Sequence, residues 1–450
     1  MSRRLFGTDG IRAVAGQEPL TPKTVERIAA ASGRVLRAKG GASSKILTGK
    51  DTRESCGWIE DALMKGFAAS GLEVHSAGVI PTSAVSALLR EGGFLAGAVI
   101  SASHNPSEFN GIKLFSSDGR KIPDDWEREI ETTVGADSVR AGLKPAPTVM
   151  AHAFKDAADR YKKFLLGTLP PDFSLKGLNW VLDCANGSAS KVAPEIFRSL
   201  GAKVHALHDS PDGRNINDGC GALHPKSLSA KILETGADGG CAFDGDADRV
   251  LFADEKGRMM DGDVLIALAA KHLKETGELE KNTVVATVMA NLGFHKEMEK
   301  AGITVLTVPV GDKAVSDALE TSGAVLGGEQ SGHIIFKTHL PTGDGILTAL
   351  QLLSLARESG KKFSVFTEML PKYPQVLLNM KVREKVPIEQ CPGLAKAIRE
   401  SEARLKGSGR VLVRYSGTEP LLRIMVEADT DERTRTIAHA IEAAAQKDLL

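Results

Sequence analysis

Three carboxylates stand in five residues, Asp244-Gly245-Asp246-Ala247-Asp248, with Arg249 directly after them. Alternate carboxylates on a curling loop converge on one point, where they repel one another strongly at reduced dielectric. A hard divalent cation removes that repulsion, and carboxylate oxygens suit Mg2+. Two other loops start the same way. A calcium loop of the helix–loop–helix type would find Glu255 at the right distance, but Arg249 stands where it needs glycine, and Val250 to Ala253 has the pattern of a strand. An aspartyl-phosphate phosphatase loop shares the Asp-x-Asp start but leaves the third aspartate without a task. Mg2+ on Asp244, Asp246 and Asp248 uses all three.

Three more polar loops follow apolar runs that read as strands. Ser101-Ala102-Ser103-His104-Asn105-Pro106 follows Leu95 to Ile100, which puts a serine where a small ligand can reach it at the mouth of a parallel sheet. Gly328-Glu329-Gln330-Ser331-Gly332-His333 follows Ala324 to Gly327. It sets a carboxylate and a hydroxyl, Glu329 and Ser331, two residues apart, and His333, as a histidine with an unperturbed pKa near neutrality, could shuttle a proton. Arg414-Tyr415-Ser416-Gly417-Thr418 follows Arg410 to Val413. With Arg423 it offers guanidinium, hydroxyl and backbone donors, the equipment of a phosphate anchor.

The segments that must position these loops alternate strand and helix. Thr21-Pro22 opens a helix that Gly40-Gly41 ends; Lys45 to Thr48 reads as a strand, Glu54 to Ser70 as a helix, Leu72 to Ser76 as a strand. Ser117-Asp118-Gly119 reads as a hairpin turn, and Gly135 to Thr148 as a linker. Strands follow at Leu178 to Asp183 and Lys203 to Leu207, then at Thr283 to Val288, Ile303 to Val308 and Ala324 to Leu326, with a helix from Gly345 to Arg357. Such alternation predicts mostly parallel sheets covered by helices. From Gln375 the order becomes β-α-β-β-α.

A chain of 450 residues exceeds one ordinary core. Its 42% apolar and 25% charged residues are those of a soluble globular protein. A formal net charge of zero argues against general nucleic-acid binding, and no apolar run is long enough for a membrane span. Five cysteines without a Cys-x-x-Cys pair argue against a disulfide scaffold or structural zinc. The N-terminus has no apolar signal core, so a cytoplasmic location is expected and Asn186-Gly187-Ser188 is not read as a glycosylation site.

The four loops, in this order, resemble those of the α-D-phosphohexomutases, and the segment Phe6-Gly7-Thr8-Asp9-Gly10-Ile11-Arg12 adds to the likeness, which spans essentially the whole chain. The Gly-Glu-Gln-Ser-Gly-His form is similar to the branch that acts on glucosamine phosphates. The resemblance implies three similar mixed or parallel α/β domains plus a smaller C-terminal α+β domain around a central cleft, with divisions expected at 1–148, 149–256, 257–372 and 373–450. It implies that Ser103 is a phosphoserine that completes the Mg2+ site. It implies that Lys113 and Arg12 balance phosphoryl charge, that His104 supports the serine, and that Arg53 lines the cleft. Glu329, Ser331 and Arg249 are expected to touch the sugar, with Ser416, Gly417, Thr418 and the two arginines on its other phosphate.

The implied reaction interconverts glucosamine 6-phosphate and glucosamine 1-phosphate through a sugar 1,6-bisphosphate, for amino-sugar nucleotide synthesis, in a monomer or homodimer. Mannose or glucose phosphates are the nearest alternative substrates, and a Mg2+-dependent phosphosugar phosphatase is the alternative of another class. The chain departs from the family pattern at Ala13, Lys50, Phe109, Lys313 and Tyr415, none of which removes a nucleophile or metal ligand.

Overall fold

The computed structural model describes residues 5–139, 152–416 and 420–450. The first helix, Pro22–Lys39, begins as its sequence dictates, with Thr21 accepting from the Thr24 amide at 3.4 Å and a proline in the first turn. Its buried stripe of Val25, Ile28, Ala29 and Leu36 packs on the helix Cys56–Ala69. These helices cover a sheet of β1 (Ile11–Val14), β2 (Lys45–Lys50), β3 (Glu73–Val79), β4 (Ala96–Ile100), β5 (Phe109–Ser116) and β6 (His152–Ala153), in the order β1-β5-β4-β2-β3-β6. A second sheet contains β7 (Asn179–Asp183), β8 (Lys203–Leu207), β9 (Gly239–Phe243), β10 (Val250–Asp254) and β11 (Met259–Met260), in the order β11-β10-β9-β7-β8. A third contains β12 (Thr283–Thr287), β13 (Thr304–Val308), β14 (Leu326–Gly328) and β15 (Ile334–Phe336), in the order β13-β12-β14-β15.

One arrangement recurs in all three. A first strand (β2, β7, β12) has a parallel neighbour on each side, and the second of these neighbours (β4, β9, β14) is followed by an antiparallel partner (β5, β10, β15). The three α/β domains are therefore similar in topology. The connection from the parallel strand to its antiparallel partner leaves the carboxyl end of the sheet, where open α/β folds bind ligands. In the three sheets that connection is the serine loop, the aspartate loop and the Glu329 to His333 loop. Strands β4 and β9 are buried along their whole length, so each loop starts from a fixed base.

The helix Asp124–Val139 takes up the first residues of the expected linker, 135–139. The rest of that linker and the expected division at 148 lie outside the described residues. The strand expected at Ala324 to Leu326 lies two residues later, and the Ser117-Asp118-Gly119 turn is closed by a lone bridge from Phe115 to Lys121 rather than a full second strand. Among the described residues no helix is long and apolar enough to cross a membrane.

The chain divides into two compact units, residues 1–289 with 303–368, and residues 290–302 with 369–450. The second holds an antiparallel sheet of β16 (Gln375–Lys381), β17 (Arg410–Tyr415) and β18 (Leu421–Glu427), in the order β16-β18-β17, with helices Pro392–Leu405 and Asp431–Leu449. Sequence order is β-α-β-β-α, as expected. The helix Leu292–Lys300, which joins β12 to β13 in sequence, belongs to this unit. Besides Tyr373, which bonds Asn291 and Lys296, its tie there is Glu427. Fully buried, it accepts from Asn291 Nδ2, the Leu292 amide and Gln375 Nε2, each at 3.0 Å, and pairs with Arg410. A Glu427→Ala substitution removes the buried carboxylate that Arg410, Asn291 and the Leu292 amide share. It should destabilise the second unit by about 3–5 kcal/mol and remove hydrogen-exchange protection from residues 290–302. Unchanged protection there would show that Glu427 does not hold the helix.

Candidate active site

Ser103 occupies the left-handed region, with φ 52°, which is uncommon for a residue with a side chain. Its neighbours impose that conformation. The Ser103 amide donates to Ser101 Oγ at 2.9 Å, and Ser101 in turn donates to Asp51 at 2.6 Å. The Ser103 carbonyl accepts from Arg53 Nη2 at 3.0 Å and from Asn217 Nδ2 at 2.9 Å. Arg53, whose side chain is fully buried, also donates to the carbonyls of Asn105, Phe109 and Pro106 and pairs with Asp51 at 2.9 Å. One guanidinium thus gathers the whole turn.

The second domain brings the aspartates to this serine. Ser103 Oγ donates to Asp244 Oδ2 at 2.6 Å, across 141 residues of sequence. Closeness is built into the backbone. A Cβ on Gly245 would lie 2.7 Å from the Ser103 carbonyl oxygen, and one on Gly187 would lie 2.2 Å from the Gly245 carbonyl oxygen. Asp244, Asp246 and Asp248 are all buried, and carboxylate oxygens from the three lie within 4.8 Å of one another. Thr82 donates to Asp246 Oδ2 at 2.6 Å. Asp246 Oδ1 and Asp248 Oδ1 are buried without a donor, and a buried acceptor left so costs about 1–3 kcal/mol. Two free oxygens beside a third carboxylate and a serine fit a hard divalent cation. Burial, with Asp248 and Asp246 beside it, pushes Asp244 well above the usual carboxylate range. The calcium-loop alternative fails in the fold, because Glu255 accepts from the Ser364 amide at 3.0 Å and Val250–Asp254 is a strand.

Lys113 is the cation at the centre. Its ammonium, 1% exposed, lies 2.8 Å from Asp246, 3.4 Å from Asp248 and 3.0 Å from Asp9. Burial alone would discharge it, but the three carboxylates more than offset burial and raise its pKa well above the ordinary lysine value. Arg12 and Lys121 pair with the same Asp9, and Lys121 reaches on to Asp312. His104 Nδ1 stands 3.3 Å from Ser103 Oγ. Burial, then Arg249 and Arg12, lower its pKa to about 4, so the ring is neutral at pH 7.

The third domain closes the other side. Arg249 bridges the backbone of His333. His333 is buried, with Nδ1 3.6 Å from Asp248 and Nε2 accepting from the Gly343 amide at 3.2 Å. Burial opposes a charge on the ring and Asp248 favours one, with a net rise in pKa. Charging it would nevertheless forfeit the bond from Gly343, because Nε2 must then carry a proton. Glu329 accepts from the Gly311 amide at 3.0 Å, whereas Ser331 Oγ and Arg249 Nε are buried without hydrogen-bond partners. Gln330 turns away, to Asp263 at 3.2 Å.

In the second unit, strand register sets Arg414 directly opposite Arg423. Like charges face to face destabilise a sheet. Burial and then Arg423 lower the Arg414 pKa, Arg423 Nε is buried without a partner, and neither guanidinium is paired with a carboxylate among the described residues. An anion would relieve both. Ser416 ends β17, and Gly417 and Thr418 lie outside the described residues.

Asp9, Asp51, Thr82 and Asn217 escaped sequence reasoning. Asp51-Thr52-Arg53 after β2 gave a weak signal, through another polar loop at the end of a strand. Thr82 and Asn217 gave none, since each matters only through a contact more than a hundred residues away.

Models of the phosphoglucomutase/phosphomannomutase family match four segments: alpha/beta/alpha domain I over residues 3–141, domain II over 160–257, domain III over 261–373, and the C-terminal domain over 377–444. A phosphoglucosamine mutase of Carboxydothermus hydrogenoformans is 47% identical, covering 99% of each chain. One from Desulforamulus reducens is 47% identical over 94% of this chain and 95% of its own. Among solved structures, a phosphoglucomutase/phosphomannomutase family protein from Burkholderia thailandensis superposes with a TM-score of 0.80 at 23% identity, covering 100% of this chain and 98% of that one. The Aspergillus fumigatus N-acetylphosphoglucosamine mutase, solved with GlcNAc-6P and magnesium, superposes with a TM-score of 0.66 at 19% identity, covering 99% and 96%.

With its pKa raised, Asp244 holds a proton in the ion-free protein at acidic pH, and a cation bound to the triad must displace it. Divalent-cation binding should therefore release a proton, and apparent affinity should rise with pH until Asp244 ionises unaided. Calorimetric titration in buffers of different ionisation enthalpy reads this directly. Binding without proton release at acidic pH would mean that Asp244 is already ionised or is not a ligand.

Proposed function

The chain belongs to the phosphoglucomutase/phosphomannomutase family, and within it to the phosphoglucosamine mutases, and from that premise we propose that it interconverts glucosamine 6-phosphate and glucosamine 1-phosphate. Ser103 Oγ at 2.6 Å from an aspartate triad with two donorless oxygens is the observation that carries it. Asp244, Asp246 and Asp248 would hold Mg2+ together with a phosphoryl group on Ser103. The ion, when bound, neutralises charge on the group being transferred.

The chain's own residues do the rest. The bond from phosphorus to Ser103 Oγ breaks as the bond to the substrate's free oxygen forms. The proton lost by that sugar hydroxyl ends on Oγ, where Asp244 accepts from it. The product of this step is a bound 1,6-bisphosphate. It turns round, and its other phosphate returns to Ser103. Arg53 and Asn217 keep the serine's backbone still through both halves. Lys113 and Arg12 meet the developing phosphoryl charge as fixed cations, which suits electrostatic stabilisation without reorganisation. His104, neutral, holds Oγ without adding charge. His333 orients Asp248. Glu329, Ser331 and Arg249 receive the sugar, two of them with buried polar atoms, Ser331 Oγ and Arg249 Nε, that make no hydrogen bond. Arg414 and Arg423, with Ser416, Gly417 and Thr418, take the non-reacting phosphate, which supplies the anion that the facing arginines lack. A cytoplasmic monomer or homodimer that feeds amino-sugar nucleotide synthesis completes the proposal.

Purified protein with Mg2+, glucosamine 6-phosphate and a trace of sugar bisphosphate should form glucosamine 1-phosphate. Ser103→Ala should be at least about a thousandfold slower, because a nucleophile is lost. Specificity constants should favour glucosamine phosphates over glucose and mannose phosphates. Faster turnover of the latter would overturn the substrate and keep the chemistry. Full activity in Ser103→Ala, with release of inorganic phosphate, would make the protein a phosphatase.

A further inference from the structure

We propose that Asp9 is a positioning residue: it seats Lys113 against Asp246 Oδ2 and Asp248 Oδ2, so that the oxygens Asp246 Oδ1 and Asp248 Oδ1 stay open to the cation. The inference rests on the metal-dependent mutase reading.

An ammonium has three N–H donors. Lys113 meets three carboxylates, Asp9 at 3.0 Å, Asp246 Oδ2 at 2.8 Å and Asp248 Oδ2 at 3.4 Å. It therefore bonds Oδ2 of two of the three metal-binding aspartates, Asp246 and Asp248, whose Oδ1 atoms accept no hydrogen bond, although Arg249 Nε stands 3.8 Å from that of Asp248. Neighbours that hold ligand groups in this way tune a metal site nearly as strongly as the ligands do.

Asp9 stands outside the triad, in the loop before β1, and the backbone delivers it. Strand β1 pairs antiparallel with β5, Ile11 opposite Ile112, one residue from Lys113. Gly10 comes so close to β5 that a Cβ on it would lie 2.4 Å from the Ile112 carbonyl oxygen, and its φ of 76° suits only glycine well. Arg12 and Lys121 hold the Asp9 carboxylate from other sides. Burial works against its charge, but Lys113, Lys121 and Arg12 outweigh burial and keep it ionised.

Without Asp9, the lysine's charge is shared by Asp246 and Asp248 alone. A flexible four-carbon stem lets the ammonium swing towards the free oxygens, where it becomes a competitor for the cation. Loss of a negative charge beside the site acts in the same direction.

The test is calorimetric titration of the full chain with Mg2+, beside kcat and KM for glucosamine 6-phosphate. Asp9→Asn should weaken Mg2+ binding by about 10- to 100-fold, lower kcat at fixed Mg2+, and move the sugar-phosphate KM little. Raising Mg2+ should recover part of the rate, and Asp9→Glu part of the affinity. The loss should shrink in a Lys113→Met background, where the competitor is absent, a coupling that a purely structural role would not produce. Asp9→Ser serves if the asparagine variant does not fold. Parent-like Mg2+ affinity in a folded Asp9→Asn or Asp9→Ser protein overturns the proposal. So does an affinity loss that persists in full without Lys113. A parent that binds no divalent cation overturns this and the metal-dependent reading together, and only that outcome reaches the latter.

Discussion

One buried ammonium holds the site together. Lys113 comes from the first domain, Asp246 and Asp248 from the second, and Asp9 from the N-terminal loop, with every distance at or below 3.4 Å. Removing one charge from water costs several kcal/mol even after relaxation, so none of these groups is tolerable inside without the others. Their mutual need locks two domains to each other and to the serine loop. Electrostatics that would be ruinous for a lone lysine or a lone aspartate become a positioning device when the charges arrive as a set.

The rest of the first unit supplies rigid arms for that set. Three sheets repeat one topology, and each presents the loop after its second parallel strand. Repetition solves a geometric problem: the serine loop, the aspartate loop and the Glu329 to His333 loop must converge from sequence positions more than two hundred residues apart. The carboxyl end of a parallel strand is a common solution, since buried strands fix where each loop begins. The fourth loop has a different base, an antiparallel hairpin, and there strand register does the corresponding work by setting Arg414 against Arg423.

Much of the chemistry was legible in the chain. Three aspartates in five residues have the residue type and spacing that suit a cation, and their carboxylates do come together in the fold. The serine, glutamate and arginine loops each follow an apolar run that ends in a turn. Local elements were legible for the same reason, because caps, prolines and apolar periodicity act over a few residues: Thr21-Pro22 starts its helix, and the β-α-β-β-α order of the last domain is the one observed. The exceptions have physical causes. Gly135 and its successors look like a linker in composition, yet helix Asp124–Val139 runs through the first of them. The helix Leu292–Lys300 reads as part of its own sheet's crossover, yet Tyr373 and Glu427 tie it into the other unit.

Residue types and their local spacing determined which side chains could bind a cation, carry a phosphoryl group or recognise a phosphate, because those capacities are intrinsic to the functional groups. Only the tertiary structure decided which of them meet. Asp9, Thr82, Asn217 and Arg53 are ordinary residues until folding carries each to a partner far away in sequence, where a buried charge or carbonyl must be satisfied. The same is true of His333, whose two ring nitrogens are engaged by Asp248 and the Gly343 amide. Such demands arise from exclusion of water, and water is excluded only once the domains have come together.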